Sequence, residues 1–397
     1  MSKKMKGAAL LFSAMALIGA SCSKDKAADT TAAVTEPEAV AAETTAAVAG
    51  ADTTVAAAAE TTAAMAAETT AAAVAAGGGK AGFILPDSKS SARWETADRP
   101  TIMAACAKAG IECDVQNAEG DKVKMATIAD QMITNGVKVL AIVDLDADSG
   151  AAIQKKAAAA GVKNIDYDRL TLGGAADVYV SFDNVAVGTA QGEGIIKCLG
   201  GADAAKGKKI IQLHGSPSDN NATLFKQGYQ AAIKDSGIET VGEEAVPDWD
   251  NQKAVPIFEQ LLQKAGGKID GVLVANDGLS LAAQSVLTKA GLTVPATGQD
   301  ATVEGLRAIL QGTQCMSVAK PYAAEAEGAV AAAVSLLKGE APVANAKINN
   351  GTADIPYVQA AVVPTYVDNI KDVIAGVLVD RAALCKDLEE KCVAAGI

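Results

Sequence analysis

The 397-residue chain has one histidine, His214, and few aromatics: five Phe, six Tyr and two Trp. A single imidazole leaves little for His-based metal sites or Ser-His-Asp chemistry to work with. The chain also lacks a basic stripe. Its 47 acids outnumber 35 Lys and Arg, for a formal net charge of −12. Nucleic-acid binding needs cations that displace phosphate counterions, so that class is excluded. Outside an alanine-rich tract, no uncharged apolar run reaches the roughly 18 residues that mark a membrane-spanning helix. The composition therefore leans away from many enzymes and toward a binder.

The charge that is present is uneven. Residues 1–26 carry +4 and residues 27–79 carry −7, which leaves −9 for residues 80–397. The N-terminus reads as an export signal: Lys3, Lys4 and Lys6 precede the uncharged apolar run Gly7 to Ala20. The run ends in Ile18-Gly19-Ala20-Ser21-Cys22, small residues before a Cys as in a bacterial lipoprotein cleavage box. Gly19 stands where Leu is preferred. Cys22 is thus the expected lipid anchor. The other reading is ordinary cleavage nearby that leaves Cys22 free.

Residues 27–79 are low in complexity. Ala supplies 24 of the 53 residues and Thr 11, and Ala-Ala-Glu-Thr-Thr-Ala-Ala recurs at 41–47, 58–64 and 66–72. So few large apolar side chains cannot offset the entropy of ordering the chain. The segment reads as a solvated stalk ending in Gly77-Gly78-Gly79.

Setting Cys22 aside leaves six cysteines, an even count that suits an exported, disulfide-bonded protein. Six allow fifteen pairings. Cys106–Cys113 and Cys385–Cys392 are close enough in sequence to be bridged locally, which leaves Cys198–Cys315. No C-x-x-C pair and no histidine partner argue against zinc, and nothing points to a cofactor.

From Lys80 onward, short Val/Ile/Leu runs alternate with segments of helical period. Strands are expected at 81–86, 112–116, 137–143, 162–167, 178–182, 209–213, 241–246, 271–275, 294–297 and 316–319. Helices are expected at 123–134, 149–160, 221–234, 251–264 and 279–290, among others. Continuous apolar strands separated by helices indicate parallel sheets covered on both faces. Ten strands over about 300 residues exceed one small sheet, so the fold class is α/β with two doubly wound, Rossmann-like lobes.

In open parallel sheets, ligands bind beyond the carboxyl ends of the strands. The residues there are Asp87 with Arg93 and Trp94; Asp144 and Asp146; Asp168 and Arg169; Gly215 to Asn221; Asp248 and Trp249; Asn276 and Asp277; Gln299 and Asp300; and Lys320. Both tryptophans belong to this set. A sugar offers hydroxyls that both donate and accept, around a ring with two apolar faces. Carboxylates, amides and guanidinium groups match the hydroxyls, and aromatic rings match the faces. Each residue alone has a simpler reading. Strand-end Asp often caps the next helix, Asp219, Asn220 and Asn221 are all candidate caps, and a lone Trp usually packs. Their convergence carries the sugar reading.

At these residues the sequence resembles the type I periplasmic sugar-binding proteins of bacterial ABC importers, most closely the D-xylose-binding branch. The resemblance runs from Lys80 to about Ile397. It rests on Ser91-Ala92-Arg93-Trp94-Glu95, Asp166-Tyr167-Asp168-Arg169, Ser181-Phe182-Asp183-Asn184, Gly215 through Ala222, Asp248-Trp249, Ala275-Asn276-Asp277, Gly298-Gln299-Asp300-Ala301 and Lys320-Pro321. It implies two lobes joined by a three-segment hinge, with crossovers near 182–184, 297–300 and 319–322.

The expected division is an export signal (1–21), a lipidated Cys22 with its stalk (22–79), a first lobe (80–183 plus 300–320) and a second lobe (184–299 plus 321–397). By the resemblance, Arg93, Trp94, Asp168 and Arg169 meet the sugar from the first lobe. Asn220 or Asn221, Trp249 and Asn276 meet it from the second, with Asp300 and Lys320 on the hinge side. One departure is Ala319, where the branch commonly has Tyr before Lys-Pro, which would widen the hinge-side wall.

The implied protein is an extracytoplasmic, lipid-anchored monomer that delivers a monosaccharide, most simply a pentose, to a membrane permease. Three rivals share features with it. A sugar hydrolase or isomerase could use Asp168 and Asp300 as a carboxylate pair, although Arg169 beside Asp168 would hold that acid ionised. A DNA-bound sugar sensor would need a helix-turn-helix where the export signal stands. A binding protein serving a chemoreceptor or sensor kinase has the same sequence features as a transport protein. Gly192-Glu193-Gly194 lacks the third glycine and preceding strand of a dinucleotide site.

Overall fold

The structure is a computed structural model, described here for residues 79–397. The expected export signal, Cys22 and stalk lie outside the described residues. The strands are β1 (Lys80–Leu85), β2 (Glu112–Asn117), β3 (Val139–Ile142), β4 (Lys163–Tyr167), β5 (Val178–Phe182), β6 (Lys209–His214), β7 (Glu239–Ala245), β8 (Gly271–Val274), β9 (Gln299–Asp300), β10 (Ser317–Ala319), β11 (Ala346–Asn349), β12 (Asp354–Ala360) and β13 (Val363–Thr365).

The first lobe is built on a seven-stranded sheet of order β11-β12-β5-β4-β3-β1-β2. All neighbours are parallel except β11 and β12. Its strands are apolar on both faces because both are covered. Phe83, Leu85, Val139 and Ala141 face the helices Arg99–Ala109 and Tyr322–Leu337. Ile84, Leu140 and Ile142 face Lys122–Thr134 and Ala147–Ala159.

The second lobe has a parallel sheet of order β7-β6-β8, extended at Val272 by a bridge to Ala296. A small sheet β13-β10-β9 lies on its hinge side. The tightest helix contact is between Asn184–Cys198 and Asn220–Ile233. Glycines make it possible: a Cβ at Gly188 would sit 2.0 Å from the Phe225 carbonyl oxygen, and one at Gly228 2.3 Å from that of Val185. Gly192 belongs to the same interface, where a Cβ would meet Ala232 and Tyr229, so its role is packing.

The pairing corrects the expected lobe boundaries. Helix Tyr322–Leu337 and strands β11 and β12 belong to the first lobe, and helix Val303–Gln311 with β9 and β10 to the second. The chain crosses between β5 and Asn184, between β10 and Tyr322, and between β12 and β13. The segment 297–300 is not a crossover, since β9 stays beside β10. The polar run of β11 and β12 hides two strands, and 294–297 forms only the single bridge at Ala296.

Three disulfides form among the described residues: Cys106–Cys113, Cys198–Cys315 and Cys385–Cys392. The C-terminal segment packs against the hinge, with Ile370, Val373, Leu384 and Cys392 in one core with Phe182, Leu306 and Tyr322. Among the described residues, no helix is long and apolar enough to cross a membrane.

Candidate functional site

Strand β4 ends at Tyr167, and Asp168 turns the chain with φ 60°. The turn is fixed at its carbonyl, which accepts from Ser181 Oγ (2.6 Å) and Tyr179 OH (2.8 Å). The carboxylate is thereby aimed into the cleft between the lobes. Its Oδ2 accepts from Arg93 Nη1 at 3.0 Å and lies 3.7 Å from Lys320 Nζ. Burial pushes its pKa up, but Lys320, Arg93 and Arg169 together outweigh that and hold it below the usual range.

Arg93 precedes a π-helical turn, Trp94–Asp98, that runs into helix Arg99–Ala109. The turn brings Asp98 back under the guanidinium, where Nε and Nη2 donate to it at 2.8 and 2.6 Å. Nη2 also donates to Glu325. The guanidinium carbon is 4.3 Å from the ring centroids of both Trp94 and Tyr322, a cation–π arrangement. Burial works against this charge, but Asp98, Glu325 and Asp168 more than compensate and raise its pKa further.

The second lobe presents its groups from helix N-termini. Asp219 caps helix Asn220–Ile233 by accepting from Asn221 N (2.8 Å). The same carboxylate accepts from Trp249 Nε1 (3.0 Å) and forms an ion pair with Arg169 Nε at 3.0 Å, without the alignment of a hydrogen bond. Trp249 lies flat enough on Gly215 that a Cβ there would be 2.0 Å from its ring. Asn276 caps helix Asp277–Lys289 with Oδ1 and donates from Nδ2 to the Ser90 carbonyl of the first lobe (3.2 Å). Capping and site duties are thus carried by one side chain in each case. Asn221 also spans the cleft, donating to the Asp168 carbonyl (2.9 Å) and Oδ1 (3.2 Å). On the hinge side, Lys320 pairs with Asp300 Oδ1 at 3.3 Å.

These groups surround one cavity between the lobes. Arg93, Trp94, Asp168, Arg169, Asn221, Trp249, Asn276, Asp300 and Lys320 all line it. Asn220 does not: it lies on a neighbouring pocket with Asp144, Leu172 and Pro217, because successive helix residues point 100° apart. Ala319 is also absent from the lining. It packs with Phe182 and Tyr322 in the hinge core, so it does not widen the wall.

Of the other strand-end acids, Asp146 caps a helix, and Asp277 is buried under Thr302 N, Gln314 and Ser317. Burial, then the nearby Asp300, raise Asp277 to about 7. The wall also includes Ser90 and Phe225, which the strand-end pattern does not single out, and Glu325 and Asp98 stand behind it. Phe225 sits on a helix among apolar neighbours and gives no separate signal.

Three cations (Arg93, Arg169, Lys320) and three carboxylates (Asp168, Asp219, Asp300) line the cavity, and they are paired with one another. The lining is therefore balanced in charge and dense in donors and acceptors. Asp168 and Asp300 both face Lys320, so neither is a free carboxylic acid of the kind a glycosidase pair requires. Three of the eight non-glycine residues with positive φ among the described residues, Asp168, Trp249 and Asp300, line this cavity, the strain expected of a working site. No group of three or more His, Cys, Asp or Glu among the described residues could hold a metal ion.

A periplasmic binding protein domain model matches residues 81–341. The chain belongs to the periplasmic binding proteins. It is 33% identical over 301 residues to the D-xylose-binding periplasmic protein of Escherichia coli, covering 74% of this chain and 89% of that protein. It is 34% identical over 296 residues to a multiple sugar-binding periplasmic protein of Azospirillum brasilense, covering 69% and 82%.

Among solved structures, an ABC transporter solute-binding protein from Clostridium phytofermentans with bound β-D-glucose matches with a TM-score of 0.71 at 27% identity, covering 77% of this chain and 99% of that one. The fold is the type I periplasmic binding protein fold. The family is one of binding proteins rather than enzymes, and its periplasmic setting is extracytoplasmic, where the three disulfides suit the chain.

Proposed function

We propose that this protein captures an uncharged monosaccharide, with D-xylose the first candidate, and delivers it to an ABC permease. The observation that carries the reading is the balanced, fully paired lining between two tryptophans on opposite lobes. A charged ligand would add a charge that this balanced, buried lining has no free partner to compensate. A neutral polyol satisfies both signs by hydrogen bonding, and its apolar faces suit Trp94 and Trp249. The names of relatives that bind xylose, several sugars or glucose support the class.

Binding works through closure. Each lobe carries half of the lining, and the two halves meet through Asn221 to Asp168, Asn276 to Ser90, and Arg169 with Asp219. A sugar that contacts both halves favours the closed state by its differential affinity. The closed form is then the one a permease distinguishes from the open form. Cys22 and the stalk would hold the domain at the membrane. Mass spectrometry of the mature N-terminus tests the anchor, and an unmodified Cys22 would reject it.

The ligand is tested by thermal shift and calorimetry over pentoses, hexoses and inositols. Saturating sugar raises the melting temperature by mass action, with D-xylose expected among the binders. No shift with any monosaccharide would overturn the reading.

A further inference from the structure

Arg93 has five N–H donors and uses four of them within the protein. Nε and one Nη2 hydrogen go to Asp98, the other Nη2 hydrogen to Glu325, and one Nη1 hydrogen to Asp168. Exactly one N–H, on Nη1, is left for the cavity that Arg93 lines. The rings of Trp94 and Tyr322 pack against the guanidinium, each with its centroid 4.3 Å from the central carbon. What fixes its rotation is the pair of carboxyls at its far edge. Asp98 takes a bidentate grip, and Glu325 takes the last donor on that side.

Glu325 is an acid on the apolar face of an alanine-rich helix, Tyr322–Leu337, whose other buried residues include Ala326, Ala329 and Val330. It is 1% exposed, its Oε1 has no hydrogen-bond partner, and it does not touch the cavity. A buried carboxyl in such a place is costly and needs a reason.

We infer that Glu325 is a positioning residue that locks Arg93 so that a single N–H points at the ligand. The inference rests on the sugar-binding reading above. Without Glu325, one Nη2 hydrogen is left unpaired in a buried site, and the guanidinium gains a reason to rotate away from Asp168.

The groups facing Glu325 set its protonation. From the first turn and β4 come Arg93, Asp98, Tyr167 and Asp168, and from the hinge Lys320. Tyr179 on β5 and Tyr357 on β12 complete the shell. Two cations face three carboxyls there, counting Glu325. Burial first, then Asp168 and Asp98, push its pKa well above the usual range against the pull of Arg93 and Lys320. What Arg93 needs from Glu325 is a carboxyl oxygen as acceptor, a role an amide oxygen of the same reach can also fill.

The test compares wild type, Glu325→Gln and Glu325→Leu, all on the full chain. Sugar affinity is measured by calorimetry at neutral pH, with thermal unfolding of each apo protein as a folding control. Glu325→Leu should weaken the best-binding sugar by about tenfold or more, the effect of one unpaired buried donor. Glu325→Gln keeps a neutral acceptor and should bind like wild type at neutral pH. Wild-type affinity in Glu325→Leu would refute the inference, as would equal weakening of both variants, which marks a packing role. A wild type that binds no monosaccharide would instead sink the sugar reading itself.

Discussion

Asn221 is the side chain that joins the second lobe to Asp168. Nδ2 donates to the carbonyl and Oδ1 of Asp168, and Oδ1 accepts from Asn184 Nδ2 (2.9 Å), while the single proton of Tyr179 OH goes to the Asp168 carbonyl. In Asn221→Ala these losses are unequal. The Asp168 carbonyl keeps two other donors, Ser181 and Tyr179, and Asn184 keeps Tyr179 OH. The Asp168 carboxylate loses the donor that reached it from the second lobe. A hydrogen bond to a charged group is worth about 1.5–3 kcal/mol, and the residual neutral losses add about 1.

The closed state should therefore lose about 2–4 kcal/mol, which is about 30- to 1,000-fold in sugar Kd. Helix Asn220–Ile233 keeps its cap, Asp219, so the apo protein should unfold near the wild-type temperature. Isothermal titration calorimetry reads the affinity, and small-angle scattering of the apo protein reads a shift toward an opened, longer shape. An affinity within about threefold of wild type would refute the reasoning, because it would mean that the cleft bonds contribute nothing net.

Trp249→Ala removes an aromatic wall of the cavity and should cost binding about 2–4 kcal/mol, in line with buried aromatic anchors; unchanged affinity by calorimetry would exclude it from the site. Replacing Cys198 and Cys315 with Ser removes a crosslink spanning 117 residues. The loop-entropy relation puts the loss at about 4–5 kcal/mol, read as a lowered denaturation midpoint with unchanged sugar specificity. His214 is pushed down to about 4, by burial first and by Lys226 second. A depressed histidine favours the fold when neutral, so its contribution is intact above the unfolded value of about 6.5 and is lost as the pH falls toward 4. His214→Gln should flatten that part of the stability–pH profile, and an unchanged slope would dismiss the effect.

Much of the site was legible in the sequence because a parallel sheet ties position to role. Side chains just past a buried strand must lie at the carboxyl edge, so Asp168, Arg169, Asn276 and Lys320 could be placed without coordinates. The same rule did not separate Asn220 from Asn221, since both follow β6 by similar distances and only the helix rotation decides which one faces the cleft. It also missed Phe225, which lies inside the helix one turn after Asn221 and lines the cavity with it. The lobe boundaries failed for a related reason. β11 and β12 are partly polar, and nothing local tells an edge strand of one sheet from a loop of the next.

The sequence alone determined most strands of the two parallel sheets, the residues at their carboxyl ends and, through one histidine, how little it offers to imidazole-based sites. These are properties of period and composition and need no partner. Only the tertiary structure decided which charges are paired, because pairing depends on distances between segments far apart in the chain. It brought Glu325, 232 residues along, under Arg93, and set Asp219 between Trp249 and Arg169. The even balance of charge around the cavity, and with it the proposed preference for a neutral sugar, exists only once those distances are set.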